Sequence, residues 1–163
     1  MPADLDVLFV PGGVKGTLDV MRDARVMNWI ADRGSRAKWI TSVCTGSMVL
    51  GHAGLLRGKR ATSHWGTHSV LAEFGAVPVD ERVVRDGNVV TGAGVSAGID
   101  FAIQLVEQLR GRNYAEALVL QAEYAPEPPI RAGSLAEATP PTAEMMQTMF
   151  GSVAEQFREV AQG

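Results

Sequence analysis

Short, unbroken apolar runs closed by Gly or Pro alternate along this chain with stretches of helical spacing, and that alternation restricts the fold more than any other feature. Asp6 to Val10 (DVLFV) is continuous and apolar and runs into Pro11-Gly12-Gly13, the pattern of a buried parallel strand ending in a loop. Residues 19–33 then carry Val20, Val26, Met27 and Ile30 at helical spacing, with Gly34 as the stop. Lys38 to Val43 (KWITSV) reads as a second strand, and Thr45 to Leu50 opens a helix that residues 55–58 close. Residues 61–65 read as a short strand and Ser69 to Phe74 as a short helix ended by Gly75. Asp86-Gly87 between two valine-rich runs, within 83–90, predicts a tight antiparallel hairpin. Helices are expected over 99–109 and 114–124. The pattern is that of an α/β fold, mainly a parallel sheet with one antiparallel hairpin.

The 163 residues fit one core-forming domain over 1–125, a connector rich in Pro, Ala, Gly and Ser over 126–142, and a terminal helix over 143–163. In that helix Met146, Met149, Phe150, Val153, Phe157 and Val160 form an apolar stripe, which either packs back on the domain or makes a subunit interface. A net charge of −3 with no cluster of Lys or Arg gives no basis for nucleic-acid binding. No apolar run approaches the roughly 20 residues that span a bilayer, and the acidic N-terminus lacks a signal-peptide layout. One cysteine forms no internal disulfide, so a cytoplasmic location is expected.

That cysteine, Cys44, stands where strand turns abruptly into helix. A nucleophile there is lifted above the carboxyl edge of the sheet and faces the N–H groups of the next helix. Those donors and the helix dipole favour thiolate over thiol. Gly46 suits the sharp turn, where a side chain would crowd it. The competing reading is a small buried core residue, the commonest fate of a free cysteine. Three histidines without a carboxylate at ligand spacing argue against a zinc site. His52 and His68 read as surface or helix-end residues, and Asp100 as a helix cap.

The block SVCTGSMVLGHAGLLRGKRATSHW, Ser42 to Trp65, resembles the ThiJ/PfpI superfamily of class I glutamine-amidotransferase-like cysteine proteins, and within it the isocyanide (isonitrile) hydratases. It is also similar to the amidotransferase-like sensor domain of some AraC-type regulators. DVLFVPGG, RVVRDGNVVTGAGVSAGIDFAIQLVEQL and EYAPEPPIRAGS extend the likeness over most of residues 4–135, the last being more typical of the hydratases. The resemblance implies a three-layer, flavodoxin-like sandwich. It also implies Cys44 as nucleophile and the backbone N–H groups of Gly13 and Thr45 as an oxyanion-hole-like pair. Gly12, His64 and the loop carrying Gly94, Val95 and Ser96 would line the pocket. Gly12 and Gly13 could instead simply make a tight turn, and His64 a structural contact. No metal or organic cofactor is implied, and relatives are commonly homodimers.

One departure stands out. In that superfamily an earlier strand and helix precede the strand that ends in PGG and supply an acidic partner to the cysteine. Here five residues precede Asp6, and Asp4, Asp6 and Asp19 do not match that motif. The expectation is a mis-started or truncated sequence, ahead of a fragment or a natural short form completed by a partner chain. Its consequences would be loss of a general acid worth roughly 10²–10⁴ in rate and a sheet edge open to pairing. The leading function is hydration of an isocyanide to an N-formamide through a cysteine thioimidate. The alternatives are a ligand-sensing regulatory domain, or another activity of the superfamily: glyoxalase or deglycase, amidase or protease, or redox sensor.

Overall fold

The computed structural model describes residues 4–162. Its strands are β1 (Val7–Val10), β2 (Trp39–Val43), β3 (Arg60–Ala61), β4 (Val77–Pro78), β5 (Val83–Asp86) and β6 (Val89–Gly92). Four of them form one sheet in the order β1-β2-β6-β5, parallel except for the β5–β6 hairpin. The hairpin closes at the Asp86–Val89 pair, so its two-residue loop is Gly87-Asn88, with Gly87 at φ +64. A side chain would be strained there, which is why this position takes glycine.

The helices are α1 (Val14–Arg22), α2 (Ala24–Gly34), α3 (Gly46–His52), α4 (Ala97–Arg110), α5 (Arg112–Gln121) and α6 (Pro140–Gln162), with a 3-10 helix at His68–Phe74 that Gly75 ends in the left-handed region. Alternation along the strands divides the core in two. Leu8, Val10, Ile40 and Val89 face the side covered by α1, α2 and α3. Trp39, Val43 and Val90 face Phe101 and Leu105 of α4 on the other side. Phe9 also leans that way, its ring stacked on Phe101 at 5.9 Å. Helices on both faces of a mostly parallel sheet make the three-layer sandwich that was expected.

Three local expectations are corrected. The helix expected over 19–33 is two helices, because the Asp23 carboxylate accepts from the N–H groups of Arg25 and Val26 and caps a new start. The strand expected over 61–65 is only β3, which pairs in parallel with β4. Beyond it, Thr62, Ser63 and Thr67 spend their backbone or hydroxyl groups on side-chain hydrogen bonds, so the ladder stops. Asp100 is no cap: it accepts from the Arg82 guanidinium and, at 2.9 Å, from the Tyr124 hydroxyl.

The stripe of α6 packs back on its own chain. Phe157 is fully buried with Ala154 in the core beside α1, and Arg158 bonds Glu73 at 2.9 Å and Ser69 at 3.2 Å on the 3-10 helix. Met145 and Met149, nearer its start, are exposed.

Candidate active site

β2 is the buried strand between β1 and β6, and Cys44 follows its last residue. The backbone there is left-handed, with φ +60, a conformation that costs a side-chain-bearing residue about 1–2 kcal/mol. Such a residue persists only where neighbours over-determine it, and such residues cluster at functional sites. Here the neighbours are explicit. The Cys44 N–H donates to Gly92 O (3.0 Å) and Ala93 O (2.7 Å) at the end of β6. Its carbonyl accepts from the hydroxyls of Ser47 and Ser63, each at 3.1 Å. Ser63 is held in turn by Thr67 at 2.9 Å.

Close approach explains two glycines. A Cβ on Gly12 would lie 2.6 Å from Cys44 Cβ and 3.1 Å from Sγ, so the PGG turn passes directly over the sulfur. A Cβ on Gly46 would lie 2.2 Å from Val10 O and 2.8 Å from Pro11 O. The crowding expected at Gly46 is therefore against the end of β1, not within the elbow itself.

Thr45 is buried and organises the sulfur's surroundings. Its hydroxyl accepts from the Gly13 N–H at 3.0 Å and lies 3.2 Å from the Thr17 hydroxyl, itself buried. With its acceptor side occupied, the Thr45 hydroxyl has its proton free for the Cys44 sulfur, which the Thr45 N–H also faces. Gly13 does not present a free donor as expected for an oxyanion pair. Its N–H is engaged by the hydroxyl of its intended partner residue.

The expected thiolate is corrected as well. Burial pushes the Cys44 thiol above its ordinary range, outweighing the Thr45 N–H and hydroxyl, which pull it down. The resting group at neutral pH is a thiol. Alkylation by iodoacetamide, which needs thiolate, is therefore expected to climb about tenfold per pH unit from pH 7 and to reach its half-point above that of an unperturbed thiol near 8.5. Thr45→Val removes a donor that favours the charged form, so it moves that half-point further upward. A half-point below 8 in the parent chain would contradict this account.

Cys44, Thr45, Gly12, Gly13, His64 and Val95 line one cavity of about 740 Å³. Gly94 stands just behind it, where a Cβ would meet His64 at 3.6 Å. Ser96 turns away: its hydroxyl accepts from Arg82 at 3.2 Å and borders a separate hollow with Asp100 and Tyr124. Successive loop residues point in different directions, so Ser96, expected beside Val95 in the cavity, borders the other hollow instead. His64 is half-buried, and burial pushes its pKa below the ordinary value, leaving it neutral near pH 7. Its Nδ1 accepts from the Gly66 N–H at 3.2 Å, which assigns the proton to Nε2. Apart from Thr67 the rest of the lining is apolar, and it includes no Asp, Glu, Lys or Arg. Phe9, Val14, Phe101, Leu105 and Phe150 belong to it although their patterns in the sequence mark only core or helix stripe. Among the described residues no group of three or more His, Cys, Asp or Glu side chains is arranged to hold a metal ion.

The model of the DJ-1/PfpI family matches residues 1–108. The chain belongs to the DJ-1/PfpI family. It is 53% identical to an isonitrile hydratase of Pseudomonas putida over 130 residues, which is 80% of this chain and 57% of that protein. With protein DJ-1alpha of Drosophila melanogaster it shares 33% identity, covering 69% of this chain and 52% of the relative. The crystal structure of a ThiJ/PfpI family protein from Pseudomonas syringae superposes with a TM-score of 0.95 at 49% identity, over 98% of this chain and 66% of the other. The chain thus spans a little over half the length of these two curated relatives. Among its described residues, no helix is long and apolar enough to cross a membrane.

Proposed function

We propose that this protein hydrates isocyanides to N-formamides through Cys44. The observation that carries the reading is a reachable cysteine held at φ +60 over a cavity free of charged side chains, in a chain 53% identical to an isonitrile hydratase. An isocyanide, R–N≡C, is neutral, with a terminal carbon open to attack and an apolar R group, and an uncharged apolar cavity suits it.

In the first step the Cys44 sulfur bonds to the terminal carbon and the thiol proton ends on that same carbon, giving Cys–S–CH=N–R. Water then adds to the carbon, the C–S bond breaks, the sulfur recovers a proton, and R–NH–CHO leaves. Splitting one hard addition into two easier ones is the advantage of the covalent route. Thr45 stabilises sulfur as its proton departs, and Gly13 and Thr17 hold the Thr45 hydroxyl in place. A small-molecule substrate is therefore proposed, with no metal or organic cofactor in the cycle.

The test is a panel in which phenyl isocyanide and methylglyoxal are offered separately. Formanilide formation from the isocyanide is expected; turnover of the aldehyde alone would overturn the proposal. The regulatory reading has less support. The likeness to the isonitrile hydratase reaches 53% identity, whereas that to an HTH-type transcriptional regulator of Pseudomonas aeruginosa reaches 32%. We also propose a homodimer in the cytoplasm. Met145 and Met149 stay exposed near the start of α6, an apolar surface that a second copy of the chain can cover. Sedimentation at micromolar concentration is expected to give twice the mass of the chain; a monomer there would remove the dimer.

A further inference from the structure

We propose that Phe150 is the specificity-determining residue of the Cys44 cavity, forming with His64 an aromatic wall that selects flat aryl groups over branched alkyl groups. The proposal rests on the hydratase reading for the identity of the substrate, but not for the wall itself. Phe150 lies on α6, far beyond the residues 1–108 that the family model matches.

Its position follows from the stripe that anchors α6. Phe150, Val153, Ala154 and Phe157 share one face at i, i+3, i+4, i+7 spacing. Ala154 and Phe157 are buried in the core, whereas Phe150 and Val153 border the cavity. The same helix face that fastens α6 to the domain therefore enters the site one turn earlier.

The ring is fixed on two further sides. Its centroid is 5.1 Å from that of the His64 imidazole, at 29° between planes, and 5.0 Å from that of Trp65. Gly66 admits this approach, since a Cβ there would lie 2.8 Å from the Phe150 ring. The Gly66 N–H also holds His64 Nδ1, so one residue sets both the imidazole plane and the space for the phenyl ring. A second stacked pair, Phe9 on Phe101, lines the same cavity. A planar substituent gains stacking or edge contacts with such walls beyond its area of burial, while a branched alkyl group of similar bulk gains burial alone.

The test compares phenyl and tert-butyl isocyanide by kcat/KM in the parent chain, Phe150→Leu and Gly66→Ala. In parallel, binding of formanilide and N-tert-butylformamide to Cys44→Ala and to Cys44→Ala with Phe150→Leu is measured by calorimetry. Phe150→Leu keeps an apolar side chain of similar reach, and its aryl-to-alkyl ratio is expected to fall about tenfold in both measurements. Gly66→Ala keeps the ring but displaces it, and the ratio is expected to fall in the same direction. A general loss of packing would lower both substrates alike. An aryl-to-alkyl ratio that Phe150→Leu leaves unchanged, or the absence of any aryl preference in binding, would overturn the proposal. If the parent turns over no isocyanide while the binding ratio still falls, the hydratase reading fails and the aromatic wall stands.

Discussion

Cys44→Ala and Cys44→Ser are each expected to lose all measurable formamide formation from phenyl isocyanide while unfolding in urea within about 1 kcal/mol of the parent chain. The effect on rate is large because the chemistry proposed here runs through one atom. Alanine offers no nucleophile. Serine offers a hydroxyl that is far less acidic than a thiol and, unlike the serine of a hydrolase, has no histidine or carboxylate among its described hydrogen-bond partners to take its proton. The effect on stability is small because the elbow is held by its backbone: the Cys44 N–H on Gly92 and Ala93, and its carbonyl under Ser47 and Ser63, survive any side-chain change. A third variant separates strain from chemistry. Cys44→Gly is equally inactive, but glycine adopts φ +60 without penalty, so it is expected to be about 1 kcal/mol more stable than Cys44→Ala. Turnover retained by the serine variant would mean that water is activated elsewhere in the cavity, and the thioimidate would have to be abandoned.

The elbow was legible because its signal is local. A β-branched run, one cysteine and a helical pattern follow one another within about a dozen residues, and the hairpin signal around Gly87 is equally compact. Where a feature depends on residues far apart, the sequence pattern fell short. The Gly13–Thr45–Thr17 hydrogen-bond chain joins the start of α1, the start of α3 and the interior of α1, and no periodicity marks a hydroxyl that will be buried. The resting thiol has the same origin: a helix start suggests a stabilised anion, but the degree of burial that opposes it is a property of the packed cavity. Phe150 was visible as part of a stripe, yet nothing in a 3.6-residue period tells where along the helix the stripe leaves the core and meets a pocket. The helix break at Asp23 was hidden differently. Apolar residues continue through it in phase, and only the cap chemistry of Asp23 separates α1 from α2.

The elbow's geometry also sets where the fold is least tolerant, and two glycine substitutions measure it. Gly46→Ala is expected to destabilise the protein by about 3 kcal/mol, read as a lower urea midpoint, because its new methyl group meets backbone rather than a movable side chain. Val10 O and Pro11 O, at 2.2 and 2.8 Å from that methyl position, belong to β1 and the turn after it. To make room, the strand end or α3 must shift, and either movement drags Gly12, which already sits against the Cys44 sulfur. The variant is therefore expected to lose turnover out of proportion to its unfolded fraction, since misplacing a reacting group by about 1 Å can cost about a hundredfold. Gly16→Ala supplies the opposite case. Gly16 lies within α1, has no atom within 4 Å of its would-be methyl group and needs no positive φ. Alanine there lowers the entropy of the unfolded chain and should stabilise by about 0.5–1 kcal/mol with turnover unaffected. If Gly46→Ala proved as benign as Gly16→Ala, the contact between α3 and the end of β1 would be looser than described, and the close support of the cysteine elbow would go with it.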